Sequence, residues 1–312
     1  MRWCLVLTLL LVGVACSDDS VAEDGSAEVT LQLNWLPEPQ FGGFYEAERI
    51  GAFTDRRLTV DISPGGPDLS PVQIVGGGGA TFGICAADEL LIARSKGNDV
   101  VALFAAYQTN PQGLMLKADD PADSIGALFE RGGLIAWQSG LPYATYLKQN
   151  LGDNFEAEYP SPFGDLTEFR MADEYAMQVF VTSEPITARR EGLDVKTFLI
   201  ADGGYNPYAT VLICKREFLE ANPDVCARMI QAVRAGWESY LADPTSANAI
   251  MRELNPTMTA DAFIASAEAQ KPLIEAEPLG AMSAERWQSL AEQLVSVGAL
   301  QDTSVVDGAF VE

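Results

Sequence analysis

Apolar residues from position 28 onward follow two spacings, one typical of strands and one typical of helices. Alternating or continuously apolar stretches predict strands over residues 29–34, 58–62, 81–85, 100–106, 134–137, 177–182, 195–200 and 209–214. Helical spacing predicts helices over residues 41–52, 88–96, 141–151 and 184–191, and an almost wholly helical region after residue 217. Pro223, Pro244 and Pro256 divide that last region into successive helices. The alternation of strands and helices indicates an α/β fold with mainly parallel sheets.

The middle third of the chain repeats the strand and helix pattern on a smaller scale. We therefore expect a smaller lobe over residues 118–204, inserted into a larger lobe made of residues 28–117 plus 205–312, with crossover strands joining the two. Ligands of open α/β sheets bind at the carboxyl ends of the strands. Two lobes facing each other across crossover strands would enclose such a ligand by hinge closure.

The first 27 residues differ from the rest and predict export. Residues 4–15 form an apolar run that is too short to cross a bilayer of about 30 Å as a helix. Residues 13–16, Gly-Val-Ala-Cys, resemble the lipobox of bacterial lipoproteins, whose cysteine is acylated. We expect residues 1–16 to be a lipoprotein signal peptide ending at acylated Cys16, and residues 17–27 to be a flexible acidic tether. An ordinary secretory signal cut nearby is the alternative.

Composition narrows the chemistry that the chain can perform. With 44 acidic residues, 20 basic residues and no histidine, the formal net charge is −24. Without histidine, the Ser/His/Asp hydrolases, the Cys/His proteases and the His-ligated zinc enzymes are excluded. Nucleic acid is not an expected partner, because its binding needs a basic stripe. We expect no metal and no cofactor, since the chain has no CxxC motif and no histidine.

Three cysteines remain in the exported part, Cys85, Cys214 and Cys226. A disulfide between Cys214 and Cys226 would close a short loop and stabilise the fold by about 3 kcal/mol. Three buried free thiols are the alternative, because free cysteine is often found in protein cores.

A longer resemblance runs through the exported part. Residues 33–47, LNWLPEPQFGGFYEA, resemble the opening of the solute-binding proteins of ABC importers for thiamine pyrimidine precursors. Further segments agree in order and spacing, at residues 50–53, 75–87, 139–143, 177–185, 202–205 and 217–223. The resemblance covers nearly all of residues 28–297 and implies a two-lobed periplasmic-binding-protein fold. It also implies a monomer, anchored at the membrane through Cys16, that delivers an aminopyrimidine to an ABC permease.

The resemblance leaves alternatives open. Similar proteins bind riboflavin or an alkanesulfonate or taurine-type anion. Riboflavin or another flat heteroaromatic ligand, and such an anion, therefore stay in consideration, as does a sensor partner without its own permease. The glycines at 76–79 depart from the family pattern; no GK[ST] follows them, so a glycine-terminated helix is favoured over a phosphate loop. A eukaryotic pyrimidine synthase of the same fold consumes a histidine and binds iron through a Cys-rich motif. This chain has neither feature, and we expect a binding protein rather than an enzyme, with a cofactor-dependent lysine enzyme as the rival.

Aromatic residues near the predicted strand ends are candidate ligand contacts. Trp35 follows the first strand, where an indole face can stack on a flat heteroaromatic ring, although a core position is the alternative. Phe41 and Tyr45 lie one helical turn apart and either extend this aromatic wall or pack helix against sheet. Tyr205 precedes the return strand and is a further candidate, ahead of Tyr208.

Polar candidates occupy the same loops. Glu184 opens a predicted helix, where its carboxylate can pair with the amidine edge of an aminopyrimidine or merely stabilise the helix dipole. Glu89, with its neighbour Asp88, and Asp202 are weaker candidates. Residues from Ser139 to Tyr143 offer backbone N–H groups at a helix start that can hold an anion or an amide oxygen. Lys and Arg are scarce on these loops, which disfavours a sulfonate or nitrate ligand.

Overall fold

A computed structural model describes residues 20–138, 140–158 and 166–311 of the chain. The expected signal peptide with Cys16 and the candidate residue Ser139 lie outside the described residues. Among the helices that are described, none combines the length and the apolar character needed to cross a membrane.

The strands fall into two mixed sheets. In chain order they are β1 Ser20–Val21, β2 Ala27–Gln32, β3 Leu58–Ser63, β4 Phe82–Cys85, β5 Val100–Tyr107, β6 Gln112–Lys117, β7 Leu134–Ala136, β8 Glu156–Glu158, β9 Tyr175–Phe180, β10 Val195–Leu199 and β11 Ala209–Lys215. The first sheet has the order β1-β2-β4-β11-β5, with β3 also paired to β2, and the second has the order β10-β6-β9-β7-β8.

Helices cover the sheets and form the C-terminal region. They are α1 Gly42–Arg49, α2 Pro71–Gly76, α3 Ala87–Ser95, α4 Ile125–Arg131, α5 Pro142–Leu151, α6 Thr167–Met171, α7 Glu184–Arg190, α8 Arg216–Ala221, α9 Pro223–Ala242, α10 Thr245–Leu254, α11 Ala260–Ile274 and α12 Ala284–Ser296. The predicted helical region after residue 217 is therefore confirmed. Pro223 occupies the first turn of α9, where a missing N–H costs nothing.

The expectation of mainly parallel sheets is wrong in detail. Parallel pairing joins β2 to β3 and β4 in the first sheet, and β7 to β8 and β9 in the second. However, β11 runs antiparallel to β4 and β5, and β6 runs antiparallel to β9 and β10. The strand that follows each crossing, β6 or β11, thus runs opposite to its two neighbours in the sheet that it enters.

The chain passes from the first sheet to the second after β5 and returns after β10. Residues 112–117, which the sequence assigned to the larger lobe, form β6 of the second sheet. We therefore propose that the junction between the lobes precedes Gln112 rather than following residue 117. Buried Asn110 connects the two crossings, because its N–H donates to Oδ1 of Asn206 over 2.8 Å and its Nδ2 donates to the Pro207 carbonyl over 3.3 Å.

One hydrophobic core lies between the first sheet and the C-terminal helices α9, α10 and α11. Helix α1 packs closely against α9, where Gly43 faces the ring of Trp237 and Gly236 faces the Gly43 carbonyl. Glu46 of α1 accepts hydrogen bonds from Ser239 of α9 over 2.6 Å and from Arg49 over 2.7 Å. This packing fixes the position of α1, which directly follows the loop that carries Trp35.

Candidate ligand-binding site

The parallel strands bring the candidate loops to common sheet edges. In the first sheet, Gln32 at the end of β2 pairs with Gly83 of β4. The segments that carry Trp35 and Asp88 therefore begin at the same edge of that sheet. In the second sheet, β7 and β9 run parallel, and the loops that follow them carry Gln138 and Glu184. The carboxyl ends of the strands therefore present most of the predicted polar and aromatic side chains.

One group of residues joins the two sheets around Glu184. The Trp35 indole N–H donates to the carboxyl of Glu38, and Glu38 is close enough to Glu184 to respond to its charge. Oε2 of Glu184 accepts the Phe180 N–H at the end of β9 over 2.8 Å. A carboxyl from a loop of the first sheet thus lies within electrostatic range of a carboxyl from a loop of the second sheet.

The electrostatics of this carboxyl pair favour protonation. Desolvation and, next, the charge of Glu184 raise the pKa of Glu38 to about 7, against the opposing hydrogen bond from Trp35. Burial also raises the pKa of Glu184, while hydrogen bonds from its own backbone N–H and that of Phe180 oppose the rise. A positive group between the two carboxyls would stabilise the ionised form of both.

Tyr107 links this carboxyl pair to the rest of the fold. It lies fully buried at the end of β5, and its hydroxyl donates to Oε1 of Gln270 over 2.5 Å. Burial raises the pKa of Tyr107, and the charges of Tyr240 and then Glu38 add to the rise, whereas a hydrogen bond with Thr182, which follows β9, lowers it. Residues from both sheets and from α11 therefore meet beside the carboxyl pair.

A second group surrounds Asp88 at the start of α3. The Tyr205 hydroxyl donates to Oδ2 of Asp88 over 2.9 Å. The ring of Tyr205 lies 6.5 Å from that of Tyr143 and 5.5 Å from that of Tyr146, measured between centroids. Burial raises the pKa of Asp88, and the hydrogen bonds from Tyr205 and from the Glu89 N–H oppose that rise. Two predicted contacts, Tyr143 and Tyr205, are thus brought together with Asp88.

Glu89 lies at the margin of this group. Its side chain is exposed, yet desolvation around the carboxyl and then the charge of Asp88 raise its pKa to about 7. Its Oε2 accepts the Ala86 N–H over 3.1 Å, so the carboxyl also closes the first turn of α3.

Two predicted aromatic contacts lie inside the core. Phe41 and Tyr45 are both buried in the cluster that also holds Trp237. Burial raises the pKa of Tyr45 well above its usual value, and the nearby charge of Glu48 adds to the rise. Both side chains pack in the core, which is the alternative that the sequence left open. Their contact with a ligand stays a prediction.

Asp202 has a local role in the structure. Its Oδ2 accepts the Leu199 N–H over 3.3 Å and caps the 3-10 turn Ile200–Gly203. This cap is enough to explain a carboxylate at this position, and the role of Asp202 as a ligand contact stays a prediction.

The predicted disulfide is not formed in the structure. Cys214 and Cys226 are free buried thiols whose Sγ atoms lie 4.0 Å apart, about twice the length of an S–S bond. Hydrogen bonding with Cys226 and then burial raise the pKa of the Cys214 thiol. The two sulfurs are neighbours, as the predicted pairing requires, but the alternative of free thiols describes their state here.

Sequence reasoning missed Glu38, Asn34, Tyr107 and Thr182. Glu38 lies between two prolines in the motif of residues 33–47, a position that predicts a loop. Asn34 precedes Trp35, and its Oδ1 is buried without a hydrogen-bond partner among the described residues. The one available signal was the presence of a single carboxylate in the segment between the first strand and the first helix.

Comparison with known proteins identifies the family of the chain. The family described as NMT1/THI5 like matches residues 38–140 and 159–247. The formylaminopyrimidine-binding protein of Halalkalibacterium halodurans is 23% identical over 98% of this chain and 96% of its own. A 4-amino-5-hydroxymethyl-2-methylpyrimidine phosphate synthase of Saccharomyces cerevisiae is 25% identical over 70% of this chain and 69% of its own.

The fold is also shared with solved structures. The periplasmic aliphatic sulphonate binding protein of Escherichia coli superposes with a TM-score of 0.70 at 14% sequence identity, covering 91% of this chain and 92% of that chain. The predicted two-lobed α/β fold of the periplasmic binding proteins is therefore confirmed. With a family match that spans more than half of the residues, the chain belongs to the NMT1/THI5-like family.

Proposed function

We propose that this protein is an extracytoplasmic, lipid-anchored solute-binding protein that captures a thiamine-related aminopyrimidine and delivers it to an ABC permease. The observation that carries the proposal is the hydrogen bond from Trp35 to the carboxyl of Glu38, with Glu184, from a loop of the other sheet, close enough for its charge to act on that carboxyl. A flat ring lying against Trp35 would present its edge to these carboxyls.

The chemistry of an aminopyrimidine fits this arrangement. Its ring nitrogen and exocyclic amine, once the ring is protonated, offer two parallel N–H donors. A carboxylate accepts such a pair in a bidentate manner, which is the strong geometry for this group. The Phe180 N–H orients the Glu184 carboxylate by donating to Oε2, whose second lone pair, together with Oε1, is left to accept the two N–H groups of a ligand. Indole stacking on the ring face would add apolar contact area.

The relatives support the ligand class. The formylaminopyrimidine-binding protein aligns over nearly the full length of both chains. The yeast relative is named for a pyrimidine product, although it aligns over a smaller share of each chain. An aminopyrimidine is the chemistry that these two names have in common.

Export and anchoring rest on the sequence. Residues 1–16 have the form of a signal peptide, and Cys16 is the expected site of acylation. Several acyl chains on one cysteine hold a protein on a membrane stably, whereas one chain does not. Radiolabelled palmitate incorporation into the wild-type protein, lost in Cys16→Ala, tests this part, and unchanged labelling in the variant would contradict it.

Ligand capture is tested with a panel of compounds on the purified chain. Thermal unfolding is measured with 4-aminopyrimidines, riboflavin and taurine, because a ligand that binds only the folded state raises the melting temperature. We expect a rise with one or more aminopyrimidines, reduced in Glu184→Gln and kept in Glu220→Gln, a change at an exposed position of α8. No shift with any pyrimidine far above micromolar concentration would refute the ligand class.

The yeast relative makes an enzyme the second candidate function. That relative is named a synthase, whereas this chain contains no histidine that could be consumed in synthesis. We expect the bound pyrimidine to be recovered unchanged after prolonged incubation. Mass spectrometry of the recovered compound checks this, and appearance of a new product would favour the enzyme.

A further inference from the structure

The segment that follows the expected lipid anchor folds onto the first sheet. The sequence predicts a flexible tether over residues 17–27, but from residue 20 onward this segment forms a β-hairpin with β2. Ser20 and Val21 of β1 pair in antiparallel orientation with Glu28 and Ala27 of β2. Most of the expected tether is therefore part of the folded protein.

Hydrogen bonds close the turn of this hairpin. The Ala22 N–H donates to the Ser26 carbonyl over 2.8 Å. Gly25 has a φ of +80°, in the left-handed region that glycine adopts without strain. Oδ1 of Asp24 accepts the N–H of Ser26 over 2.9 Å and its hydroxyl over 2.7 Å, as aspartate commonly does in turns. The turn is thus held by its own residues.

A neighbouring loop fixes the hairpin to the rest of the fold. Arg57, just before β3, donates from Nη1 to the Asp24 carbonyl over 2.9 Å, and its own carbonyl accepts the Ala27 N–H over 3.0 Å. Arg228 of α9 holds the same loop by donating to the Arg56 carbonyl over 2.6 Å. These contacts connect the hairpin to β3 and α9, so its position on the sheet is set.

The hairpin shortens the reach of the expected anchor. The chain from Cys16 to Ser20 can span at most about 14 Å, whereas a free chain from Cys16 to Ala27 would span up to about 38 Å. The hairpin lies at the start of β2, and the six residues of β2 extend for about 20 Å towards the edge that carries Trp35. An anchor with the shorter reach cannot bring that far edge to a bilayer, whereas an anchor with the longer reach can.

We propose that the hairpin surface, residues 20–26, rests against the lipid bilayer and orients the anchored protein with the candidate ligand site on the edge away from it. The inference rests on the proposed function for the acylation of Cys16, and it adds the surface that faces the membrane. Val21, which is 44% exposed, gives this surface an apolar side chain, whereas exposed Glu23 and Asp24 give it negative charge. Because anionic lipid does not attract acidic groups, the acyl chains supply the binding. The candidate site is then open to the solution from which the solute is captured.

Fluorescence quenching from the lipid tests this orientation. A small thiol-reactive fluorophore is attached at Glu23→Cys in the hairpin surface, or at Asp68→Cys, an exposed position after β3 on the far edge. The native Cys85, Cys214 and Cys226 are buried and do not compete for the label. The acylated protein is bound to phosphatidylcholine vesicles in which some lipids carry a nitroxide on the headgroup. We expect it to lose most of its fluorescence at Glu23→Cys and to keep it at Asp68→Cys.

A variant that releases the hairpin provides the comparison. Ala22→Pro removes the N–H that donates to Ser26, and Gly25→Val places a branched side chain on a left-handed backbone, so the two changes together should open the turn. Ala22→Ser with Gly25→Asn is the matched control, because it keeps the N–H and a residue that tolerates this backbone. With the hairpin released, quenching should appear at Asp68→Cys, since the longer reach lets the far edge meet the lipid. The control should behave as the wild type.

The outcomes separate this inference from the proposed function. Amide hydrogen exchange over residues 20–28 reports whether the hairpin is formed, and far-ultraviolet circular dichroism establishes that each variant is folded. Fast exchange of these amides in the wild type, equal quenching at the two labels, or a released hairpin that leaves Asp68→Cys unquenched would overturn the inference and leave acylation and ligand capture standing. Failure to incorporate palmitate at Cys16 would refute the anchoring part of the proposed function, and this inference with it.

Discussion

The contact between Tyr205 and Asp88 is the best-defined polar contact among the predicted site residues. Tyr205 is 1% exposed and Asp88 is 9% exposed, and their hydrogen bond spans 2.9 Å. Because Asp88 is buried, losing its donor would leave a carboxyl with fewer hydrogen bonds in a poorly solvated position. The contact also ties the segment before β11 to the start of α3.

We predict that Tyr205→Phe lowers the free energy of unfolding by about 1 to 3 kcal/mol, the usual cost of leaving a buried polar group without its partner. The pKa of Asp88 should rise further, since the hydrogen bond that lowers it is gone. Urea unfolding monitored by tryptophan fluorescence measures the stability change. Tyr146→Phe, which removes a hydroxyl from the neighbouring ring, is the control. It should lower the free energy of unfolding by less than about 0.5 kcal/mol, as surface changes do. Equal losses in both variants would contradict the stabilising role of the hydrogen bond between Tyr205 and Asp88.

Glu38 should make folding stability depend on pH. Its pKa is about 7 in the folded protein against an ordinary value of 4.5. Between these values the folded state retains a proton that the unfolded state has lost, so stability falls as the pH rises from about 4.5 to 7. Below that window both states are protonated at this carboxyl, and above it the full penalty is present.

Glu38→Gln should therefore flatten the stability profile. Relative to the wild type, the variant should gain about 1 to 3 kcal/mol between pH 4 and pH 8, since one unit of pKa shift corresponds to about 1.4 kcal/mol. Urea unfolding across this pH range provides the measurement, with Glu220→Gln at an exposed position as the control. A wild-type slope that survives in Glu38→Gln would show that other carboxyls, such as Glu89, cause it.

At the residue scale, the sequence predicted the loops of the candidate site better than the individual side chains that lie in it. Position after a strand was enough to select Trp35 and Glu184, because strand ends share an edge in a parallel pairing. It did not show that the Tyr45 ring turns into the core, since helical spacing alone does not say which face meets the sheet. Glu38 was missed because its importance depends on Glu184, which lies far away in the chain.

The close contact between α1 and α9 requires glycine in both helices, at Gly43 and at Gly236. At Gly236 an added Cβ would overlap the Gly43 carbonyl oxygen and lie 2.6 Å from Cβ of Ala47. The backbone of one helix thus lies directly against the other, and no flexible side chain can yield. The loop that carries Trp35 leads into α1, and hydrogen bonds from Asn255 and Gln270 to the carbonyls of Pro37 and Pro39 hold it further.

We predict that Gly236→Ala lowers the free energy of unfolding by about 3 kcal/mol, near the upper end of overpacking costs. Gly126→Ala is the matched control, because Gly126 lies in α4 with nothing within 4 Å of the added Cβ. That change should be neutral or stabilise by up to about 1 kcal/mol through helix propensity. Chemical denaturation of both variants is the measurement, and similar values for the two would refute the packing argument.

At the element scale, apolar periodicity found the long elements and missed short or weakly patterned ones. Strand β5 was predicted within one residue because all of its residues are buried and apolar. Strand β8, Glu-Ala-Glu, gave no signal, since it is short and pairs on one side with β7. Strand β6 was overlooked next to the crossing, and with it the antiparallel pairings that make the second sheet mixed.

For the whole molecule, the two sheets are joined by the segments that follow β5 and β10. Asn110 holds these segments together through its N–H, its Nδ2 and its Oδ1, which accepts the Gln112 N–H over 2.9 Å. Arg286 adds a hydrogen bond to the Gln108 carbonyl over 2.7 Å and one to the Asn206 carbonyl over 3.1 Å. Any closure of the lobes on a ligand must bend the chain where these hydrogen bonds lie.

Asn110→Ala should loosen this junction without touching the candidate ligand contacts. The side chain is 4% exposed, so its loss leaves the Pro207 carbonyl and the Gln112 N–H without a partner inside the protein. We predict a loss of about 2 to 4 kcal/mol in the free energy of unfolding, from two buried groups at about 1 to 2 kcal/mol each. Urea unfolding measures it beside Asn98→Ala, which loses one exposed hydrogen bond to Gln73 and should cost under about 1 kcal/mol. If Asn110→Ala proved as mild as Asn98→Ala, the crossing segments would be held by the strands and Arg286 instead, and the hinge would lie elsewhere.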